Sequence, residues 1–494
     1  MTSGFFKFRI MSYTRKVAYN TFIQVFGKIV VTVFAIISVN ILTRYLGVEG
    51  YGRYTIIFAY VGFWNIFTDF GILTILTREL AQNENEKAKI FNNTLTFRIF
   101  MSFCIILLSI IIARFLNYDL AIKNGIIIMS IAFFFQTLNM TFISMFQNSY
   151  QMYKGVITDI VGKLIILIGI IYAVKASENL MFIVATYIVG NIINIILSYL
   201  YANNIIKVRL EFDYALWKKL FLEALPIGLM GVFGYLYFKS DALILSLMKG
   251  NYDVGIYGPT YKIFEILIVL PAFLIGAAFP AINNFFVNDK VRFQKIIQKI
   301  FNFLISVSIP MGLAGIILAR PILIFISGGG EFIQNNIFWH NFAFSGITSL
   351  QLLFIGLIIS YANAIFGIAI IAAKKQRKLV LPTAIYALFN IGFNLIFIPR
   401  FSYIATSLST SLTELLIFII LYNIFSQILG FKISLKIVPK IIVACVPLIA
   451  FLLYFQNINI LLLVICGAII YFAVALKLKI FNKDVIQELM PFSN

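Results

Sequence analysis

The stretch Leu46-Gly47-Val48-Glu49-Gly50-Tyr51-Gly52-Arg53-Tyr54-Thr55-Ile56-Ile57-Phe58-Ala59-Tyr60 separates two long apolar runs. Its first eight residues hold three glycines, an acid and an arginine, residue types that interrupt a helix and mark a polar boundary. On both sides the chain is strongly apolar. Its 494 residues are 61% hydrophobic and 12% charged, against about 45–50% and about 25% in a soluble domain. Water cannot cover that much apolar surface, so lipid must be the solvent. Backbone groups in hydrocarbon must be satisfied within the chain, and long apolar runs then predict an all-α integral membrane protein.

A run of roughly 20 apolar residues crosses a bilayer. Such runs fall near 17–43, 51–78, 93–115, 120–147, 155–175, 179–206, 218–247, 254–285, 296–326, 338–372, 379–398, 403–428, 437–455 and 459–480. Fourteen spans are therefore expected, with connectors too short for a separate soluble domain. The formal net charge of +20 is distributed in short Lys/Arg clusters between the runs, a topology signal rather than one basic face for nucleic acid. With the N-terminus in the cytoplasm, 26 Lys and Arg fall on the inner side. Eight fall outside: Arg44, Arg53, Arg114, Lys123, Lys175, Lys249, Arg320 and Arg400. That bias predicts a multi-pass cell-membrane protein with both termini cytoplasmic. Met1–Lys16 is basic but lacks the apolar core and cleavage site of a signal peptide. Cys104, Cys445 and Cys466 lie inside apolar runs and read as small buried hydrophobes rather than metal ligands or a disulfide framework.

The opening motif returns. Tyr51-Gly52-Arg53-Tyr54 aligns with Val254-Gly255-Ile256-Tyr257 at an offset of 203, and Ile112-Ala113-Arg114 with Leu318-Ala319-Arg320 at 206. The basic connector at Lys154 pairs with Arg377 and Lys378 near 224. The order suggests two parallel six-span repeats around a central cavity, at 1–206 and 207–430, followed by two additional spans and a short tail in 431–494. Substrate sites of such transporters lie between the repeats near the midplane. Chance similarity in a low-complexity apolar chain is the competing explanation.

Leu46-Gly47, Gly50-Tyr51-Gly52, Asp69-Phe70-Gly71 and Arg78-Glu79-Leu80-Ala81 carry a family resemblance. So do Ser240-Asp241, Val254-Gly255-Ile256-Tyr257, Phe279-Pro280 and the run NIGFNLIFIPRFSYIATSLSTSLTE from Asn390 to Glu414. The chain resembles the polysaccharide-export (Wzx-like) flippases, whose superfamily also contains lipid II flippases and multidrug exporters of the MATE type. The resemblance covers about residues 16–428 and departs at Phe401-Ser402, where the family usually has a glycine turn. It implies transport of a lipid-linked, isoprenoid pyrophosphate oligosaccharide from the cytoplasmic to the outer leaflet by alternating access, driven by a sodium or proton gradient. It also implies membrane lipids as surroundings, a monomer, and association with glycan-assembly enzymes.

A charge at the bilayer centre costs at least about 2.5–3.5 kcal/mol, so each one needs a reason. Asn20, Gln24, Lys28 and Thr32 recur every four residues, on one helical stripe. Lys28 reads as the cationic lining of a cavity for an anionic head group, or as half of an ion pair with Asp69. Asp159 and Lys163 lie four apart, acid first; Arg98 either faces the cavity or snorkels. Tyr235, Lys239 and Gly231 share a stripe; Tyr257, Tyr261 and Glu265 share another, with Lys262 three before the acid. Substrate-binding candidates are thus Lys28, Gln24, Asp69, Arg98, Lys163, Lys239, Tyr257, Lys262 and Glu265. Pro226, Gly228 and Gly231 weaken the hydrogen-bond ladder of span 7 and mark a gate, or else allow close helix packing.

Tyr386, Asn390 and Asn394 are four apart, as are Thr410 and Glu414. Amide, hydroxyl and carboxylate oxygens suit a hard monovalent cation; they equally glue helices together. The resemblance implies Asp241, Asn390, Asn394 and Thr410 as sodium ligands, with a backbone oxygen from Thr406. Asn394 is neutral where such a site can carry a second acid. Glu414 is a further coupling-ion candidate, or a proton carrier. No other metal and no cofactor is expected. The lone His340 reads as a polar interfacial group. No catalytic triad, HExxH or GxxxxGK[ST] occurs, and no long loop exists for a glycosyltransferase or polymerase, so no enzyme is expected. The alternative is an organic-cation antiporter of the same fold. Five deep cations (Lys28, Arg98, Lys163, Lys239, Lys262) oppose five deep acids (Asp69, Asp159, Asp241, Glu265, Glu414), so charge alone leaves it open.

Overall fold

A computed structural model describes residues 13–340, 342–456 and 458–481. Helices dominate: α1 (Tyr13–Asp69), α2 (Ile72–Gln82), α3 (Lys87–Phe115), α4 (Leu120–Asn148), α5 (Met152–Lys175), α6 (Leu180–Asn203), α7 (Tyr214–Lys249) and α8 (Asn251–Leu267) come first. They are followed by α9 (Leu270–Asn288), α10 (Lys290–Ile317), α11 (Ala319–Ser327), α12 (Gly346–Ala372), α13 (Val380–Leu429), α14 (Val438–Tyr454) and α15 (Ile460–Lys477). Among the described residues, ten helices are long and apolar enough to cross a membrane, eleven when the two arms of α7 are joined. The protein is an all-α, multi-pass membrane protein.

Two of the ten, Phe22–Gln82 and Gln376–Leu429, are 61 and 54 residues long. A straight helix of 61 residues would measure roughly 90 Å, about three bilayer cores. Each is interrupted by a non-helical residue. Gly47 (φ 65°, ψ −172°) breaks α1 and Ser402 (φ 46°, ψ −131°) breaks α13. Phe70 and Gly71, both at positive φ, separate α1 from α2. Ahead of Pro271 the chain passes from α8 to α9, and at Leu318 from α10 to α11. These breaks subdivide the expected spans near 51–78, 254–285 and 296–326.

One expected span begins differently. Residues 338–372 read as a single run, but Ile337–Trp339 (β1) and Phe342–Phe344 (β2) form an antiparallel hairpin, and α12 starts only at Gly346. Alternate aromatic residues favour the pleat, Ser345 caps the helix that follows, and His340 takes a left-handed turn conformation (φ 52°).

Packing within α1–α6 centres on α4 with α6, α5 with α6, and α1 with α4 and α5. Later in the chain α12 packs on α13 and α10, and α7 on α13. Helices α14 and α15 pair with each other, and α14 rests on α10. The two groups meet where α8 and α7 lie along α1, and where α2 meets α7.

Two glycines 203 residues apart share a backbone conformation. Gly250 (φ 87°, ψ −163°) adopts the same broken conformation before α8 that Gly47 adopts inside α1. A Cβ at Gly52 would lie 1.9 Å from the Asn251 carbonyl oxygen, and one at Gly255 would lie 2.0 Å from the Val48 carbonyl oxygen. Each glycine thus packs on the residue equivalent to its partner's contact. Only hydrogen fits there, which accounts for Gly52, whereas Gly47 is called for by its positive φ. Replacing Gly52 with alanine is expected to destabilise the protein by about 1–3 kcal/mol through overpacking, read as a lower melting temperature of the purified protein. Gly231→Ala is the control. Nothing lies within 4 Å of its would-be Cβ, so it is expected to leave melting unchanged or raise it slightly.

Candidate functional site

At the junction of α1, α5, α7 and α8 lies a cavity of about 680 Å³. Its cationic wall is built from four helices: Lys28 on α1, Lys163 on α5, Lys239 on α7 and Lys262 on α8. Among the described residues, Glu265, one turn beyond Lys262, is the lone acid of the lining. Lys239 Nζ donates to Glu265 Oε1 at 2.7 Å and Lys262 Nζ to Oε2 at 2.8 Å. Lys239 also sits 5.6 Å over the Tyr261 ring. Among the described residues, Lys28 and Lys163 have no such ion-pair partner. Aromatic residues are interleaved with the cations: Tyr51, Tyr54, Phe58, Phe133, Tyr187, Tyr235, Tyr257 and Tyr261; the Tyr54 and Tyr187 hydroxyls meet at 2.7 Å. Ile29 and Val33 on α1 and Val269 and Leu270 at the α8–α9 break also belong to the lining, all four exposed. They give the chamber an exposed apolar margin.

Six of the nine substrate-binding candidates converge here: Lys28, Lys163, Lys239, Tyr257, Lys262 and Glu265. Three do not. Gln24 is exposed one turn below Lys28, and on the same stripe Asn20 is tied to the α4–α5 turn through Tyr150 O (3.0 Å) and Met152 N (2.9 Å). Asp69 does not meet Lys28. It pairs with Arg98, which is fully buried and also donates to the Thr137 carbonyl oxygen at 3.0 Å. This pair fastens α1 to α3 and α4, so Arg98 neither snorkels nor lines the cavity. The sequence reading missed Tyr54, Phe133, Gln136 and Tyr187. Tyr54 belongs to the repeated motif; the other three carry no local signal, because only tertiary packing of α4 and α6 brings them to the lumen.

Both ends of the chamber are shut. Above it is the Gly52–Gly255 seam, with Arg53 paired to Asp119 at 2.8 Å and Asn251 donating to the same carboxylate at 3.3 Å. Below it, a Cβ at Gly71 would lie 2.9 Å from Gly228 N, and one at Gly228 would lie 2.6 Å from Phe70. Arg78 bridges Glu79 and Glu223, and Lys219 reaches Glu79 at 3.2 Å. Of the gate candidates, Gly228 thus serves close packing between α7 and the α1–α2 break. Pro226 and Gly231 flank the point where α7 bends by 48°, between Tyr214–Leu229 and Gly231–Lys249. Proline removes one ladder hydrogen bond and crowds the preceding turn, a sufficient cause for the bend.

A second polar cluster lies between α7 and α13. Asp241, 1% exposed, accepts from Asn394 Nδ2 (2.6 Å), Thr410 Oγ1 (2.8 Å) and the Tyr257 hydroxyl (3.2 Å). Asn390 Oδ1 accepts from Ser240 (3.0 Å) and Asn394 (3.2 Å), and Thr410 donates to the Thr406 carbonyl oxygen at 3.1 Å. No cationic side chain pairs with Asp241 among the described residues, and Asn394 Oδ1 is buried without a partner. One turn inward, Glu414 forms a separate rung: it accepts from the Tyr237 hydroxyl at 2.6 Å and from Asn363 Nδ2 at 2.7 Å. The antiparallel run of α7 and α13 explains the separation. Tyr237 and Asp241 are four apart on one helix, Glu414 and Thr410 four apart on the other, so they meet as successive rungs. Glu414 does not join the Asp241 group.

Residues 17–286 match the family described as polysaccharide biosynthesis protein. A Shigella flexneri protein named "Putative O-antigen transporter" is 26% identical over 321 residues, 62% of this chain and 75% of that one. Among solved structures, the lipid II flippase MurJ in an inward closed conformation superposes with a TM-score of 0.74 at 16% identity, covering 95% of this chain and 100% of its own. An inward-facing multidrug MATE transporter gives 0.63 at 11% identity, covering 81% and 95%. These relatives are transporters and flippases rather than enzymes, and the structural likenesses establish the shared fold.

Proposed function

The chain belongs to the polysaccharide biosynthesis protein family, and on that premise we propose that it flips a lipid-linked oligosaccharide, borne on an isoprenoid pyrophosphate, from the cytoplasmic to the outer leaflet. The observation that carries the proposal is the convergence of Lys28, Lys163, Lys239 and Lys262 on one chamber. A lysine inside a membrane is costly unless it meets an anion. Four lysines against one glutamate match a phosphate-bearing head group and oppose an organic cation. The apolar margin at Ile29, Val33, Val269 and Leu270 lets an acyl or isoprenoid tail stay in lipid while the head group occupies the chamber. The interleaved tyrosines offer flat faces and hydroxyls to sugar rings.

In this reading the breaks at Gly47 and Ser402 divide the long helices into separate crossings, fourteen in all. The groups 1–206 and 207–430 are the rocking bundles, residues 431–494 add two helices, and both termini are cytoplasmic. The Gly52–Gly255 seam is the outer gate. The Gly71–Gly228 contact with the Arg78–Glu223 and Lys219–Glu79 pairs is the inner one. Alternating access opens one while the other holds, and the bend in α7 beside Pro226 and Gly231 is the flexure.

The residues around Asp241 fit a sodium ion. The Asp241 carboxylate, which lacks a cationic partner, Asn390 Oδ1, Thr410 Oγ1 and the Thr406 carbonyl would supply hard oxygens to the ion, and Asn394, whose Nδ2 now faces Asp241, would add its unpartnered Oδ1 by turning its amide. A sodium ion there would supply the charge that links the membrane potential to the cycle, about 2.3 kcal/mol per charge per 100 mV. Tyr257 joins the two regions: it donates to Asp241 and also lines the chamber.

Reconstituting the protein in liposomes with a fluorescent isoprenoid-pyrophosphate oligosaccharide tests the function. Leaflet-selective quenching is expected to show protein-dependent exchange, faster under an inward sodium gradient. No exchange of the lipid-linked sugar, alongside uptake of an organic cation, would replace this reading with the antiporter.

A further inference from the structure

Within the cavity, Glu265 holds both lysines of the second bundle through two separate oxygens. Its partnership with Lys262, three residues earlier, is the ordinary neighbour contact on a helix face. The one with Lys239 crosses from α8 to α7, beyond the bend. Among the described residues, Lys28 and Lys163 of the first bundle make no ion-pair contact; Asp159, one turn before Lys163 on α5, acts on it only at longer range. The lining is therefore asymmetric, with two cations of the first bundle out of contact with any carboxylate and two of the second bound to a single one.

We propose that Glu265 is a built-in counter-ion that stands where the head group's phosphate oxygens go. On loading, the phosphate takes Lys239 and Lys262 and displaces the carboxylate; at the outer face Glu265 reclaims the lysines and the head group leaves. The proposal rests on the cationic chamber described above and names the residue that regulates its occupancy. The exchange swaps one charge-assisted pair for another, so the chamber never holds four bare lysines. Interactions that grip the bound and moving states equally would only trap the cargo; a competing carboxylate weakens that grip. Placing Lys239 and Glu265 on different helices links the swap to α7, because it removes one of the contacts that join the segment beyond the bend to α8, beside Tyr257–Asp241 and Tyr261–Phe238. A ligand shifts a conformational equilibrium only through such differential contacts.

The test uses the full-length protein and inorganic pyrophosphate as probe. By titration calorimetry, Glu265→Gln is expected to bind pyrophosphate about tenfold more tightly than the natural protein. In the liposome assay the same variant is expected to show at least fivefold lower turnover at saturating substrate together with a lower KM. Glu265→Asp keeps the charge but spans one lysine less readily, and should fall between; it also decides the question if the glutamine variant fails to fold. Affinity at or below that of the natural protein in the folded variant overturns the counter-ion role while leaving the chamber's function standing. Absence of pyrophosphate binding in the natural protein and variants alike, all folded, removes the cationic-chamber reading and this role with it.

Discussion

Replacing Lys28 with alanine is expected to abolish surface glycan while the protein still accumulates in the membrane at its normal level. The lysine projects from α1 into the chamber and makes no ion pair among the described residues, so folding does not depend on it. Its worth lies in meeting the substrate. A charge-assisted hydrogen bond contributes about 1.5–3 kcal/mol, and losing about 2–3 kcal/mol weakens binding roughly 30- to 150-fold. Apolar and aromatic side chains dominate the lining, so bulk dielectric screening does not erase the loss. Lys163 is expected to behave alike, and the double replacement to lose at least as much as the worse single one. Lys28→Arg keeps the charge and should retain most activity. Measuring surface polysaccharide against membrane protein level in a strain that depends on this chain decides it. Wild-type glycan in Lys28→Ala would remove the residue from the substrate path. Lost glycan with lost protein would assign it to folding.

The membrane class and the stripe carrying Lys28 were legible because they rest on short-range rules: span length, charge bias and the helical period of 3.6. The glycines of the two matched motifs, Gly52 and Gly255, were legible for the same kind of reason, since each packs so closely on a carbonyl that only hydrogen fits. Pairing between helices was not legible. Asp69 was open to Lys28 or to a cation, yet it meets Arg98, which lies on the next long helix at a depth no local pattern reports. Glu414 shares its helix face with Thr410, which is why it read as part of the same cation site. The antiparallel register against α7 assigns it to Tyr237 instead. The hairpin at Ile337–Phe344 was absorbed into an apolar run because hydropathy does not distinguish an aromatic strand from the end of a helix.

Asp241→Asn is expected to leave the fold intact, or slightly more stable, while eliminating any response to sodium. The two effects have one cause. A carboxylate buried with only neutral donors carries an uncompensated desolvation cost, and the isosteric amide removes that charge without opening a cavity. The neighbours can adjust. The Thr410 and Tyr257 hydroxyls can rotate, and Asn394, whose Oδ1 has no partner, can turn its amide to accept from the new nitrogen. Stability therefore should not fall, in contrast to Arg98 or Asp69, where removing one partner strands the other. For the natural protein, a ligand that binds only the folded state stabilises it by about 2.7 kcal/mol at a hundred times its dissociation constant. Sodium, but not choline chloride at equal ionic strength, should raise its melting temperature. That increment should vanish in Asp241→Asn and persist in Glu414→Gln, because Glu414 belongs to the neighbouring rung with Tyr237 and Asn363. A sodium-dependent shift surviving in Asp241→Asn would move the cation elsewhere. Its disappearance in Glu414→Gln alone would place the ion at the Tyr237 rung and leave Asp241 as helix glue.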